Sequence, residues 1–243
     1  MKIQKGVSLY TVISETILNE IKTGIYAVGD KLPTEPELSK QFDVSRTTIR
    51  MALQKLEMDG IINRMQGKGT FVKKPKHEEN LSAAFKAFSD QMRELGLGYY
   101  SKVLELRAIP ADSLLATKLE VLEKDPVIKL VRVRYANNEP LVFVTSYIPW
   151  KIAPDLINDD CSHSLLQLLK TKYQVKIKGA LEILETVLIG KSETVHLGVP
   201  VGSPAFLLEA IVYSDKDAPI EYSHGIIRGD LMKFVTKRNY QEY

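Results

Sequence analysis

Apolar residues recur at helical spacing in the first part of the chain and alternate at strand spacing in most of the rest. Within Leu9–Lys22, four apolar side chains repeat every three or four positions, which predicts an amphipathic helix. Thr34, followed three residues later by Glu37, has the pattern of a capping box and predicts a second helix that ends near Asp43. Ser45 is a favoured N-cap for a third helix.

The third predicted helix has one apolar and one polar face. The polar face carries Arg46, Thr47 and Arg50. Two short strands, 61–64 and 70–72, are predicted to follow and to be joined by a glycine-rich tip. Helix, turn, helix and hairpin in this order predict a winged helix-turn-helix domain, in which the third helix enters the major groove of DNA.

A charged stretch separates this module from the rest of the chain. Residues 73–80 contain a proline and no other apolar side chain, so we predict that they form a linker between domains. The predicted domains are therefore residues 1–72, the winged helix-turn-helix, and residues 81–243, a second domain.

The second domain is dominated by alternation with a period of two. Leu81–Leu95 has helical spacing, but most later segments alternate apolar and polar residues, which predicts strands. Asn137-Asn138 lies between two such strands and predicts a tight hairpin turn. Strands joined by short turns form antiparallel sheets, so the fold class predicted for the chain is α+β, with helices beside the sheet.

Charge is distributed unevenly between the two domains. Residues 1–76 hold 13 basic and 8 acidic side chains, a net charge of +5, whereas the remainder holds 20 and 22, a net charge of −2. A basic first third fits a module that binds nucleic acid.

The single cysteine excludes an intrachain disulfide, and neither a signal-peptide pattern nor a long apolar run occurs. We therefore expect a cytoplasmic protein with no membrane partner.

The predicted DNA contacts lie at the starts of the second and third helices and in the hairpin tip. The first residues of a recognition helix reach base edges, so Arg46 is predicted to contact guanine. Lys68, between two glycines, is predicted to neutralise a phosphate; for the tip alone, a solvated turn is the alternative. The full predicted set is Thr34, Glu35, Ser45, Arg46, Thr47, Thr48, Arg50, Gln66, Gly67, Lys68, Gly69 and Thr70.

The stretch from Leu32 to Val72 resembles the GntR family of bacterial transcription regulators. Its P-T-E, S-R-x-T-I-R, A-L-x-x-L and G-x-G-T-F-V motifs stand at the separations of that family's signature. The chain departs from the family at Pro36, where an arginine usually contacts the DNA backbone. It departs again at Asp43, where glycine is usual.

The second domain resembles the effector domain of the HutC subfamily, called UTRA. The resemblance rests on V-R-V-R-Y at 131–135, S-Y-I-P at 146–149, I-E-Y at 220–222 and R-G-D at 228–230. It implies a chorismate-lyase-like antiparallel sheet that binds a small ligand and mediates homodimerisation.

The resemblance also implies an anionic effector. Arg132 and Arg134 alternate with valines, so both are predicted to project from one face of a strand; on spacing alone, a solvated or ion-paired couple is the alternative. In the family, arginines at these positions contact an anionic group. Ser164 matches a further anion contact and Glu221 an acceptor for ligand hydroxyls, and Tyr147 completes the predicted effector site.

These features predict a dimeric transcription regulator that binds double-stranded operator DNA. We expect a repressor of a metabolic operon, released by a small anionic metabolite such as a sugar phosphate. Val144, Ile227 and Ala87 depart from some sugar-phosphate sensors, which leaves the sugar character of the effector open. The alternatives are a chorismate-lyase-like enzyme and a DNA-binding protein that ignores metabolites. No catalytic set, metal site or cofactor is predicted, because the four histidines and single cysteine lack diagnostic spacing.

Overall fold

The computed structural model describes residues 8–73, 76–80, 92, 96 and 98–236. The chain divides between Lys76 and His77 into two compact units. The helix predicted over residues 81–95 lies outside the described residues except for Met92, which is helical and fully buried. No helix within the described ranges is long and apolar enough to cross a membrane.

The first unit has the predicted order of helices and strands. The Glu37 carboxylate accepts hydrogen bonds from the backbone N–H and the hydroxyl of Thr34, both at 2.7 Å, which caps the second helix. Asp43 ends that helix in the left-handed conformation, with φ 54°. The elements are α1 (Leu9–Lys22), α2 (Glu35–Phe42), α3 (Arg46–Met58), β1 (Ile62–Met65) and β2 (Gly69–Val72). Their shared core confirms the winged helix-turn-helix prediction.

The second unit is built on one antiparallel sheet, and its elements confirm the predicted α+β class. The elements are β3 (His77–Asn80), β4 (Tyr99–Pro110), α4 (Ser113–Leu119), β5 (Pro126–Ala136), β6 (Glu139–Pro149), α5 (Leu165–Thr171), β7 (Ile177–Leu188), α6 (Lys191–Leu197), β8 (Pro204–Ser214), β9 (Pro219–Arg228) and β10 (Met232–Val235). The sheet has six strands in the order β4-β5-β6-β9-β8-β7. The hairpin between β5 and β6 turns at Asn137-Asn138, both with positive φ, as predicted.

The second half of the predicted linker is not a linker. Residues 77–80 form β3, which pairs in parallel with β10, from Met232 opposite His77 to Val235 opposite Asn80. The composition of a charged segment does not reveal a partner strand near the far end of the chain, so this prediction was wrong for residues 77–80.

The sheet has two chemically different faces. Arg132 of β5 lies opposite Val144 of β6, and Leu130 lies opposite Ser146, so these side chains share one face, which we call the arginine face. Ile128, Leu130 and Ile148 pack on this face against α5. The other face carries Tyr147 and Tyr222, which pack with α4. We call it the tyrosine face.

Candidate DNA-reading and effector sites

The polar side of α3 is exposed along its first turns. Ile49 and Leu53 are buried and hold the helix against the core of the first unit, whereas Arg46, Thr47 and Arg50 are exposed. Ser45 caps the helix, because its hydroxyl accepts a hydrogen bond from the Thr48 N–H at 3.1 Å. The structure therefore presents the predicted groove-reading residues on one accessible surface. Thr48 is half-buried, and its hydroxyl lies 2.8 Å from that of Ser45.

Glu35 is ion-paired with two arginines. Its carboxylate accepts hydrogen bonds from Arg50, with Nη2–Oε2 at 3.1 Å and Nε–Oε1 at 3.4 Å, and from Arg64 Nη2 at 2.6 Å. The hydrogen bond from Arg50, together with the charge of Arg64, holds the pKa of the Glu35 carboxyl below its usual value. Sequence reasoning missed Arg64, because its partner lies 29 residues away in the chain.

The tip of the hairpin is an exposed, basic turn. Gly67 and Gly69 have φ values of 73° and 121°, a region that strongly favours glycine. The Lys68 N–H donates to the Met65 carbonyl at 3.0 Å, which closes the turn and leaves the lysine side chain exposed beside exposed Gln66. Thr70, opposite Arg64 in the hairpin, is half-buried. Pro36 lies in the first turn of α2, where a missing N–H has little cost.

Replacing Lys68 with alanine should weaken binding to all DNA duplexes by a similar factor. If the lysine contacts one phosphate, the slope of log K against log salt should fall by about 1. Fluorescence anisotropy at several salt concentrations measures both quantities. Lys22→Ala, an exposed position at the end of α1, is the matched control. An unchanged slope in the Lys68 variant would exclude the phosphate contact.

Arg132 is anchored at one nitrogen, and its two other nitrogens have no partner in the part of the chain that the structure describes. It is 1% exposed, and its Nη1 donates to the backbone carbonyls of Cys161 at 3.3 Å and His163 at 3.2 Å. Nε and Nη2 have no hydrogen-bond partner among the described residues. Burial lowers the pKa of the guanidinium and the nearby Glu221 carboxylate opposes this, but arginine stays charged at neutral pH.

Further polar groups lie beside Arg132 on the arginine face. Ser146 is fully buried, and its hydroxyl has no hydrogen-bond partner among the described residues. It lies opposite Ser223, which in turn lies opposite Ala210, so small side chains cross three adjacent strands. Glu221 is on the same strand and face as Ser223 and is 5% exposed. The result is a buried polar surface with unsatisfied donors, which is unusual in a folded protein.

The structure brings four of the five predicted effector residues to this region and excludes one. Arg134 is half-buried on the same face as Arg132. Ser164 follows the His163 carbonyl that binds Arg132, and its hydroxyl accepts from the Gln167 N–H at 3.2 Å. Tyr147 instead lies on the tyrosine face, with ring centroids 6.0 Å from Tyr222 and 5.9 Å from His224. Neighbouring residues on a strand face opposite ways, so Tyr147 is not part of the same site as Arg132.

Cys161 is a structural residue beside this site. It is 2% exposed, and burial raises the pKa of its thiol to about 11, so the thiol stays protonated at neutral pH. Its contribution to the site is its backbone carbonyl, which accepts from Arg132. Within the described residues, no group of three His, Cys, Asp or Glu side chains forms a possible metal site.

Comparison with known proteins assigns both units. Residues 9–72 match the family model of the bacterial regulatory proteins of the gntR family, and residues 94–233 match the UTRA domain. The chain belongs to the GntR family. Since that family and its relatives are transcription regulators, this GntR protein is a DNA-binding regulator with a UTRA effector domain and not an enzyme.

Two relatives and a solved structure agree with this assignment. The HTH-type transcriptional repressor NagR of Bacillus subtilis is 30% identical over 96% of this chain and 95% of its own. The mannosyl-D-glycerate transport/metabolism system repressor MngR of Escherichia coli is 34% identical over 61% of each chain. The crystal structure of PhnF from Mycobacterium smegmatis superposes with a TM-score of 0.69 at 26% identity, covering 96% of this chain and 100% of that one.

Proposed function

We propose that this GntR regulator is a repressor that releases its operator when a small anionic metabolite binds on the arginine face. The observation that carries the proposal is the pair of unpartnered Arg132 nitrogens. Nε–H and Nη2–H form one edge of the guanidinium, which matches the two oxygens of a carboxylate or phosphate. The protein fixes Nη1 and leaves this edge unsatisfied at a buried position, where an unpaired donor is costly. A ligand anion would remove that cost.

The remaining polar groups favour a hydroxylated ligand. The Ser146 hydroxyl has no partner within the described ranges, and Glu221 supplies acceptor oxygens near the guanidinium. A sugar phosphate or a sugar acid combines an anionic group with hydroxyl groups that donate to a carboxylate. MngR is named for a mannosyl-D-glycerate system, and mannosyl-D-glycerate is such a sugar acid, which supports this ligand class.

The relatives' names support repression, and the proposed regulator acts as a homodimer. NagR and MngR are both named repressors. A two-fold dimer would present two copies of α3 to two half-sites, whose spacing the dimer geometry fixes. A ligand can release the DNA only to the extent that it binds the DNA-free state of the dimer more tightly than the DNA-bound state.

A thermal-shift screen tests the proposed ligand class. We expect one or more phosphorylated sugars or sugar acids to raise the melting temperature of the full chain in a concentration-dependent way, because a ligand that binds only the folded state stabilises it. The neutral parent sugars are the control and should give no shift. Equal shifts from the neutral sugars, or a DNA affinity that no stabilising anion alters, would contradict the proposal and favour a regulator insensitive to anions.

A further inference from the structure

We propose that Glu35 and Arg64 are positioning residues that orient Arg50 to read a guanine. Glu35 begins α2, Arg50 lies on α3 and Arg64 lies on β1 of the hairpin, so one carboxylate joins three elements of the DNA-binding unit. The inference rests on the DNA binding of this unit and is independent of the effector proposed above.

Glu35 binds one edge of the Arg50 guanidinium group and leaves another edge available to DNA. Glu35 accepts from Nε and Nη2, which form the side edge of the guanidinium. Nη1 and the second N–H of Nη2 form the end edge, which the carboxylate does not cover. That edge has the two-donor geometry that matches O6 and N7 of guanine in the major groove. The Arg50 side chain is 64% exposed, so a base can reach it.

Arg64 holds the Glu35 carboxylate in the orientation in which it binds Arg50. Its Nη2 lies 2.6 Å from Glu35 Oε1, and its side chain is 32% exposed, about half the exposed fraction of Arg50. A carboxylate held between two guanidinium groups has little rotational freedom, because each of its oxygens is bonded. Arg50 therefore meets DNA with its side chain already ordered, and less conformational entropy is lost on binding.

Neither of two simpler roles explains the arrangement. The ion pair between Arg50 and Glu35 is exposed on the arginine side, and such a pair adds little to the free energy of unfolding. A direct DNA contact by Glu35, as the sequence predicted, would bring a negative charge towards phosphates and use oxygens that already bind arginines. A positioning role explains why a carboxylate lies beside the recognition helix of a domain with a net positive charge.

The test uses the full chain and a duplex that it selects from a random double-stranded library. Glu35→Gln removes a negative charge, so simple electrostatics predicts tighter binding to every duplex. We expect the opposite for specific binding. The second duplex in the comparison differs from the selected one only at the base pair that Arg50 reads. The ratio of the affinities for the two duplexes should fall about tenfold. Binding to a scrambled duplex should stay equal or become tighter.

Matched variants separate positioning from charge and from folding. Glu15→Gln removes the same charge from an exposed position on α1 and should leave base discrimination unchanged. In an Arg50→Ala background, Glu35→Gln should have no further effect on discrimination at that base pair, because the residue that it positions is absent. Arg64→Ala should reduce discrimination there without changing the salt slope. Thermal unfolding of each variant verifies that it folds.

Three outcomes would overturn the inference. Full discrimination by Glu35→Gln would remove the positioning role. An equal loss of discrimination from Glu35→Gln in the wild-type and Arg50→Ala backgrounds would mean that Glu35 acts without Arg50. Arg64→Ala with unchanged discrimination and a salt slope lower by about 1 would make Arg64 a phosphate contact instead.

Discussion

An Arg132→Lys variant should lose roughly tenfold to hundredfold or more in affinity for the anionic metabolite and still bind operator DNA. Lysine keeps the positive charge but has no pair of parallel N–H groups, so it cannot hold an anion through two oxygens. It also cannot donate to the Cys161 and His163 carbonyls while contacting the ligand in the same geometry. Isothermal titration calorimetry with the metabolite that gives the largest thermal shift measures the loss.

The control for this variant makes the same change outside the site. Arg107 is an exposed arginine on β4, ion-paired with Glu105, and Arg107→Lys should bind the metabolite like the wild type. If Arg132→Lys binds as tightly as the wild type, the guanidinium edge is not the anion site. Loss of DNA binding in Arg132→Lys, with loss of cooperative unfolding, would instead show that the variant fails to fold.

Replacing Arg46 with alanine should relax the sequence specificity of the regulator by roughly tenfold to hundredfold at one base pair. Arg46 is the first residue of α3 and is exposed, so its removal leaves the buried face of the helix intact. A bidentate contact from arginine to guanine contributes about 1–3 kcal/mol of discrimination. Competition between the selected duplex and duplexes with single substitutions locates the affected base pair.

The pattern of loss identifies the kind of contact that Arg46 makes. A loss confined to one base pair supports reading of a base edge. A uniform loss over all duplexes, with a salt slope lower by about 1, would mean that Arg46 contacts phosphate. In that case Arg50, positioned by Glu35, would be the base-reading arginine of the helix.

The burial of Arg132 makes the proposed effector site costly to the folded state when no ligand is bound. A buried charge with unpaired donors destabilises the folded state, and such local costs are common at binding sites. A ligand that pairs with these donors gains the interaction in a site from which water is largely excluded. The same feature would therefore account for both the thermal stabilisation and the selectivity for anions that we propose for the ligand.

Local chemistry determined the parts of the fold that the sequence predicted well. Thr34 with Glu37, and Ser45 before α3, fix helix starts through hydrogen bonds within three residues. Asn137-Asn138 fixes a hairpin turn because both residues tolerate positive φ. Period-two alternation also places Arg132 and Arg134 on one face of β5, as the structure does.

The features that the sequence did not reveal depend on distant partners. The strand at residues 77–80 exists because β10 pairs with it. Glu35 was predicted as a DNA contact, but its partners lie 15 and 29 residues away, and only the fold brings them together. Tyr147 is separated from Arg132 by the pairing of β5 with β6, which places Ser146 on the arginine face and its neighbour Tyr147 on the other face; alternation within β6 does not fix that register.

The proposed coupling between effector and DNA binding is tested most directly by titrating the DNA-bound full chain with the metabolite that gives the largest thermal shift and following the anisotropy of the labelled duplex. We predict that the wild type releases the duplex, that Arg132→Lys retains it at the same metabolite concentration, and that DNA weakens metabolite binding by the same factor. A metabolite that binds through Arg132 and leaves the DNA affinity of the wild type unchanged would contradict control of the regulator by its effector domain.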